Sequence, residues 1–237
     1  MMTAVSNSTF PANIIAFTSD RTVDFTLSQS ESSFNNAQRE FLSGRLNFVL
    51  PEPVSIVQVH GRRVVTADSD FLRKRFVLEE ADGVITKIPN VALSVRMADC
   101  LPVFMHDPVQ KGIGLIHVGW RGAEKNILQE AIEQMKAEWK TDPKTIKAFL
   151  GPAIRSCCYE VNREFQEYFP EDLTVNDGRY YLDLIQACRK KLIGLGLQDK
   201  NIIDCGICTC CDKNYFSYRR EGKSAGRMIS LMMLKEG

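Results

Sequence analysis

A chain of 237 residues is long enough to bury one sizeable core, and 44% hydrophobic, 25% charged and 9% aromatic residues are values of a globular protein, not of a disordered or fibrous one. Thirty Lys and Arg against 29 Asp and Glu leave a formal charge of +1, so no global field exists to hold nucleic acid or an acidic membrane, and any anion must be bound locally. The longest apolar runs, such as Leu101 to Met105 and Leu231 to Leu234, fall far below the roughly 18 residues of a spanning helix.

Met1 to Asn7 carries neither the basic nor the apolar region of a secretory signal, so a cytoplasmic location is expected. In a reducing compartment the eight cysteines read as metal ligands, nucleophiles or core thiols before they read as disulfides. Ser28 to Asn36 is polar and turn-rich, and Asn36 to Leu46 fits a short amphipathic helix. From Val54 the pattern changes to short β-rich runs: Val54 to Val59, Gly83 to Thr86, Val91 to Val95, Pro102 to Met105 and Gly114 to Val118, which together predict the strands of one sheet. Between Ala123 and Lys140, Ile127, Ala131, Met135 and Trp139 recur at helical spacing, with Leu128 and Ile132 beside them. A strand over Ile146 to Leu150 stops at Gly151-Pro152, Val161 to Tyr168 looks helical, and a second clear helix with turns at Leu182, Ile185, Arg189 and Leu192 ends at Gly194 and Gly196. The tail predicts strands at Ile202-Ile203, Tyr215 to Tyr218 and Met228 to Leu234, the last two joined across Arg220 to Gly222. With no linker or repeat, residues 1 to 237 read as a single α/β domain, a mixed sheet with flanking helices.

The chemistry-bearing residues stand at or just beyond strand ends. His60 in Gln58-Val-His-Gly61, Cys100 in Ala98-Asp-Cys-Leu-Pro102 and His117 in His117-Val-Gly-Trp-Arg-Gly122 can together supply three ligands of a zinc ion whose fourth position stays open. Taken singly, each histidine reads equally as a hydrogen-bonded structural residue, and the cysteine as a small buried hydrophobe. Asp99 is placed to orient a ligand or to shuttle a proton, and a capping or turn role fits it as well. Arg121, Arg155, Arg219, Arg220 and Arg227 are the anion-binding candidates, with Arg121 foremost because Gly119 and Gly122 bracket it in a turn before a helix. Trp120, Phe216 and Tyr218 offer rings for stacking on a purine, although core packing is their commoner use. His106, at a strand end entering a turn, reads as a surface or structural residue. The group Cys205, Cys208, Cys210 and Cys211 lacks a second pair at zinc-ribbon spacing; the nearest is Cys157-Cys158, far upstream, so spacing predicts no second metal.

Read in order, the motifs around His60, Ala81 to Thr86, Cys100 and His117 resemble the YfiH-like laccase-domain family, first called multicopper polyphenol oxidases and now regarded as purine nucleoside phosphorylases. The likeness continues through Phe149 to Ile154, Cys157 to Val161, Leu182 to Leu184, Cys208-Thr209, Phe216 to Arg220 and Gly226-Arg227, roughly residues 54 to 234. The resemblance implies a mixed α/β fold related to toxin-deamidase-type cysteine hydrolases, and a catalytic zinc on His60, Cys100 and His117. It implies phosphorolysis of adenosine or inosine, with methylthioadenosine as a further substrate, to free base and ribose 1-phosphate. Adenosine deamination is implied as a side activity. The partners are then a purine nucleoside and phosphate, not nucleic acid or a membrane. A glycine-rich segment usual near the family's N-terminus is reduced here, in Thr18 to Phe25, to little more than Arg21. Three histidines are too few for a blue-copper centre plus a trinuclear cluster, though a single copper on the same three ligands is compatible with weak phenol oxidation. Two other readings stand beside this one. One is a hydrolase using Cys100 as nucleophile and His117 as base, acting on an amide or editing a peptidoglycan precursor; the other is a non-enzymatic, metal-stabilised partner protein.

Overall fold

The computed structural model describes residues 3–4, 9–26, 34–46, 49–73 and 79–236; most of Met1 to Asn7 and most of the polar segment from Ser28 lie outside the described residues. In chain order, strands β1 (Thr3–Ala4) and β2 (Ile14–Thr18) and helix α1 (Asn36–Leu46) precede β3 (Val64–Thr66) and α2 (Ser69–Arg73). Strands β4 (Gly83–Thr86), β5 (Ala92–Met97), β6 (Leu101–Asp107) and β7 (Gly112–Val118) follow, then helices α3 (Trp120–Glu124) and α4 (Ile127–Trp139). The remainder comprises β8 (Lys147–Leu150), β9 (Glu160–Val161), α5 (Phe165–Tyr168), β10 (Leu173–Asn176), β11 (Arg179–Leu182), α6 (Leu184–Gly194), β12 (Ile202–Asp204), α7 (Tyr218–Glu221) and β13 (Met228–Leu234).

Apolar strands with no polar face must be covered on both sides. A six-stranded mixed sheet runs in the order β12-β8-β6-β7-β4-β3, and alternate residues of its strands face opposite layers. Ile85, Val103, Met105 and Ile116 meet Ile127, Ala131 and Met135 of α4 and Leu192 of α6. Val84, Phe104, Ile113 and Leu115 point the other way, onto Leu93, Val95, Met228 and Met232 of a second sheet ordered β1-β2-β13-β5. The outer face of that sheet, with Phe17, Leu231 and Met233, is closed by Leu42 of α1 and by Phe25 and Phe34. The result is four layers: helices, mixed sheet, antiparallel sheet and α1. A small antiparallel sheet, β10-β11-β9, lies apart from both. The mixed α/β expectation holds.

Several local expectations do not. The runs do not form one sheet: β5 pairs with β13 in the second layer, while β4, β6 and β7 belong to the first. Val54 to Val59 is not a strand but a strap with isolated bridges to Leu93 of β5 and to Glu80 in the segment before β4, because its backbone partners lie on two separate elements. The Gln58 side chain completes the connection, donating to the Arg96 carbonyl and accepting from the Arg96 amide, both at 2.8 Å. The helix expected over Ala123 to Lys140 is broken at Asn126, whose left-handed φ of 62° separates α3 from α4. Val161 to Tyr168 divides into part of β9 and the single turn α5. Tyr215 to Tyr218 forms no strand and no hairpin with β13: Ser217 Oγ accepts from the Arg220 amide at 3.2 Å and caps α7 instead. His106 is structural, buried edge-on against Phe10, and burial pushes its imidazole down to about 4.

Leu115→Ala, which opens a cavity between the two sheets, is expected to lower unfolding free energy by about 2–5 kcal/mol in urea titration. Val57→Thr, on the exposed strap, is expected to change it by less than about 0.5 kcal/mol.

Candidate active site

Three separate chain segments bring His60, Cys100 and His117 together. His60 follows the strap and takes a left-handed φ of 56° in the turn into β3. Cys100 sits in the tight turn between β5 and β6, behind Asp99 at φ 86°. His117 is the penultimate residue of β7, opposite Pro102 in the antiparallel ladder that also fixes the start of β6. The Cys100 Sγ stands 3.9 Å from His60 Nε2, the two imidazoles meet edge-on with centroids 5.0 Å apart, and one ligand atom from each of the three lies within 4.8 Å of the others. That is a group able to hold a metal ion, and all three residues line one cavity.

A residue to which the sequence reading assigned no role organises this group. Asp82, immediately before β4, is 1% exposed, and its carboxylate accepts from His117 Nδ1 at 2.9 Å and from the amides of Val59, His60 and Gly61 at 3.2, 3.0 and 2.6 Å. Burial alone would raise its pKa, but these donors and the His117 charge more than offset it and hold it below the usual range. With Nδ1–H committed to a carboxylate, His117 presents Nε2 to the cysteine, the orientation a histidine ligand requires. The available signal was position: an acid opening an otherwise apolar strand, inside a motif already noted for its likeness to the family. Burial would likewise raise the Cys100 thiol, yet the imidazole of His117 and hydrogen bonds from His117 and His60 pull it down to about 6. His117 is correspondingly raised to about 9, its own burial outweighed by the Cys100 charge and by Asp82.

Asp99 is engaged on both oxygens. Oδ1 accepts from Thr209 Oγ1 at 2.7 Å, and Oδ2 from Ser217 Oγ at 3.0 Å and the Arg219 amide at 2.7 Å. These bonds hold a positive-φ residue directly before Cys100.

The cavity measures about 1270 Å³, ample for a nucleoside-sized ligand together with an anion. Of the predicted anion binders, Arg121, Arg219 and Arg227 line it; Arg121 lies within α3, not before it, with its guanidinium 4.3 Å over the Trp120 ring. Arg155 is instead paired with Asp204 through two hydrogen bonds, 2.9 and 2.5 Å long. Arg220 is committed to the carbonyls of Thr209, Cys210 and Tyr215 and to Glu221. Arg96, missed because it sits in the apolar run of β5, adds a half-buried guanidinium to the wall, where burial pushes its pKa down to about 10. Trp120 and Tyr218 line the cavity as expected, joined by Tyr159; Phe216 does not, and lies 5.1 Å beneath Arg21.

Asp82→Asn keeps the shape but removes charge from the His117 partner. It is expected to weaken binding of a metal ion at this group about 10- to 100-fold in a competitive chelator titration. Gly119→Ala would set a Cβ 3.1 Å from His60 Cδ2 and 3.2 Å from Cys100 Sγ, and is expected to lower metal content while the circular dichroism spectrum is unchanged.

The family model described as multi-copper polyphenol oxidoreductase laccase matches residues 27–235. A Bacillus subtilis protein named purine nucleoside phosphorylase YlmD is 32% identical over 212 residues, covering 84% of this chain and 76% of its own. A purine nucleoside phosphorylase of Borreliella burgdorferi is 32% identical over 209 residues, 83% of this chain and 87% of the relative. Among solved structures, YfiH of Bacillus licheniformis superposes with a TM-score of 0.82 at 26% identity over 94% of this chain and 93% of its own. YlmD of Geobacillus stearothermophilus does so with 0.82 at 25% identity over 95% and 93%. The fold thus has close counterparts among solved structures, and the chain belongs to the multi-copper polyphenol oxidoreductase laccase family, which includes YfiH- and YlmD-like proteins.

Proposed function

We propose that the cavity is the site of a zinc-dependent purine nucleoside phosphorylase, in which His60, Cys100 and His117 hold the metal and the arginine wall holds phosphate. The observation that carries this is the juxtaposition: a His/Cys/His donor set opens into the same cavity as Arg96, Arg121, Arg219 and Arg227, and the curated relatives bear the phosphorylase name. The donor set fits zinc, since borderline nitrogen and thiolate donors converge, Asp82 fixes the tautomer of one, and three ligands leave an open side. Zinc held by these three residues would supply a Lewis acid to the site.

The chain's own groups do the rest. Arg121, stiffened over Trp120, presents a fork of donors to phosphate. Held there, a hydrogen phosphate oxygen forms the bond to C1′ while the C1′–N9 bond breaks and its electron pair passes to the base; the proton that the phosphate carried passes through solvent to a ring nitrogen, and the products are free purine and ribose 1-phosphate. Orientation replaces a bimolecular encounter. Trp120, Tyr159 and Tyr218 supply ring faces for the purine. Asp99 acts as a positioning residue, holding the turn that aims Cys100, since its carboxylate is saturated by Thr209, Ser217 and Arg219. Adenosine deamination, needing water and not phosphate, belongs to the same site as a side activity. The eight free thiols suit a reducing compartment such as the cytoplasm.

A second reading has its own observation. The lowered Cys100 thiol beside a raised His117 is the arrangement of an activated nucleophile and its base, as a cysteine hydrolase would need. Zinc bound stoichiometrically and protecting Cys100 from iodoacetamide decides for the phosphorylase; a zinc-free protein rapidly alkylated there decides for the hydrolase.

With zinc-loaded protein, adenosine and phosphate, adenine and ribose 1-phosphate are expected, and omission of phosphate is expected to abolish adenine release but not inosine formation. Arg121→Ala is expected to raise KM for phosphate about 10- to 100-fold, the size of one lost charge-assisted contact, while moving KM for adenosine far less. Adenine release indifferent to phosphate, or no consumption of adenosine or inosine by loaded protein, overturns the proposal.

A further inference from the structure

The connection from β8 to β9 carries Cys157 and Cys158, and the connection from β12 to α7 carries Cys208 and Cys211. The fold lays these two loops side by side: Ala153 bridges Cys208, and the Thr209 amide donates to the Ala153 carbonyl at 3.1 Å. All four sulfurs then lie within 4.8 Å of one another, with Cys211 Sγ 3.3 Å from Cys158 Sγ and 3.6 Å from Cys157 Sγ. We propose that Cys157, Cys158, Cys208 and Cys211 form a second metal centre, a closed four-thiolate site for zinc that staples these loops together.

Sulfur atoms about 2.3 Å from a tetrahedral zinc are separated by about 3.8 Å, the spacing this cluster already approaches. Disulfides account for it less well. Cys211 is nearly equidistant from two cysteines, all four are free thiols, and the sulfurs stand well beyond the roughly 2.05 Å of an S–S bond. A polynuclear iron–sulfur cluster distributes its thiolates over several irons and needs them wider apart. Cys208-x-x-Cys211 forms a turn closed by the Asp212 amide on the Cys208 carbonyl at 2.9 Å, which brings its two sulfurs to the same side. Four protein ligands leave no open position, so the role is structural. Cys205 and Cys210 stay outside the group.

The site has a consequence for the catalytic turn. Thr209, next to Cys208, is one of the residues that donate to the Asp99 carboxylate, and Ile154, in the facing loop, donates its amide to the Asp99 carbonyl at 2.9 Å. A metal fixing both loops holds one support of Asp99 from each. Spacing along the chain pointed away from this centre because its two halves are joined only across the β12–β8 pairing.

The test is metal counting on the full chain purified under reductant. The unaltered protein is expected to carry about two zinc ions per chain and Cys100→Ala about one, whose X-ray absorption shows four sulfur neighbours at about 2.3 Å. Cys158→Ser is expected to lose the four-sulfur zinc while keeping the other, and Cys205→Ser to keep both. Should Cys158→Ser not fold, the Cys100→Ala protein, with all four ligands intact, still decides. A zinc-free Cys100→Ala protein, a residual zinc bound by nitrogen or oxygen, or a disulfide among the four found by mass spectrometry overturns the proposal.

Discussion

One buried carboxylate holds the site together. Asp82 is almost wholly shielded from water, a position in which an unpaired charge would be severely destabilising, and it is kept ionised by three backbone amides and one imidazole. The same four bonds set the turn that carries His60 and the ring orientation of His117. Because Asp82 precedes β4 and His117 is the last but one residue of β7, the β4–β7 ladder fixes the distance between them, and the His117 amide extends that ladder onto the Asp82 carbonyl at 2.7 Å. The site geometry is therefore inherited from strand register.

Asp99 plays the corresponding part for Cys100. Its left-handed backbone is costly for a residue other than glycine, and the side chain repays this by gathering Thr209, Ser217 and the start of α7. These partners come from a part of the chain more than a hundred residues later. The C-terminal segment thus does two things at once: it completes the second sheet through β13 and closes the cavity through Arg219 and Tyr218.

The family name and the chemistry of this chain point in different directions on copper. Of its three histidines, two belong to the His60, Cys100 and His117 group, and the third, His106, is buried against Phe10 in a different part of the sheet. No imidazoles remain for a trinuclear copper cluster. The cavity is lined by Arg96, Arg121, Arg219 and Arg227, whose guanidinium groups suit the phosphate proposed for it.

The sequence by itself determined the elements whose physics is local. The apolar runs at β4, β6, β7 and β13 had to be strands covered on both faces, the heptad-like stripe from Ile127 had to be a helix packed on a sheet, and the motifs around His60, Cys100 and His117 were visible as polar chemistry at strand ends. The tertiary structure alone decided what depends on pairing between distant segments. Val54 to Val59 has strand composition but divides its backbone pairing between β5 and the segment before β4, and Tyr215 to Tyr218 is drawn out of any strand by the Ser217 cap on α7. Asp82 lies within the Ala81 to Thr86 motif and Arg96 within none, but the role of each exists only because β7 and the strap lie beside them. Cys157-Cys158 and Cys208-Cys211 look unrelated along the chain and meet only through the parallel β8–β12 pair. Composition and periodicity encode which face of a segment avoids water, whereas which segments become neighbours is settled by the packing of whole layers, and sites assembled from neighbours become visible only there.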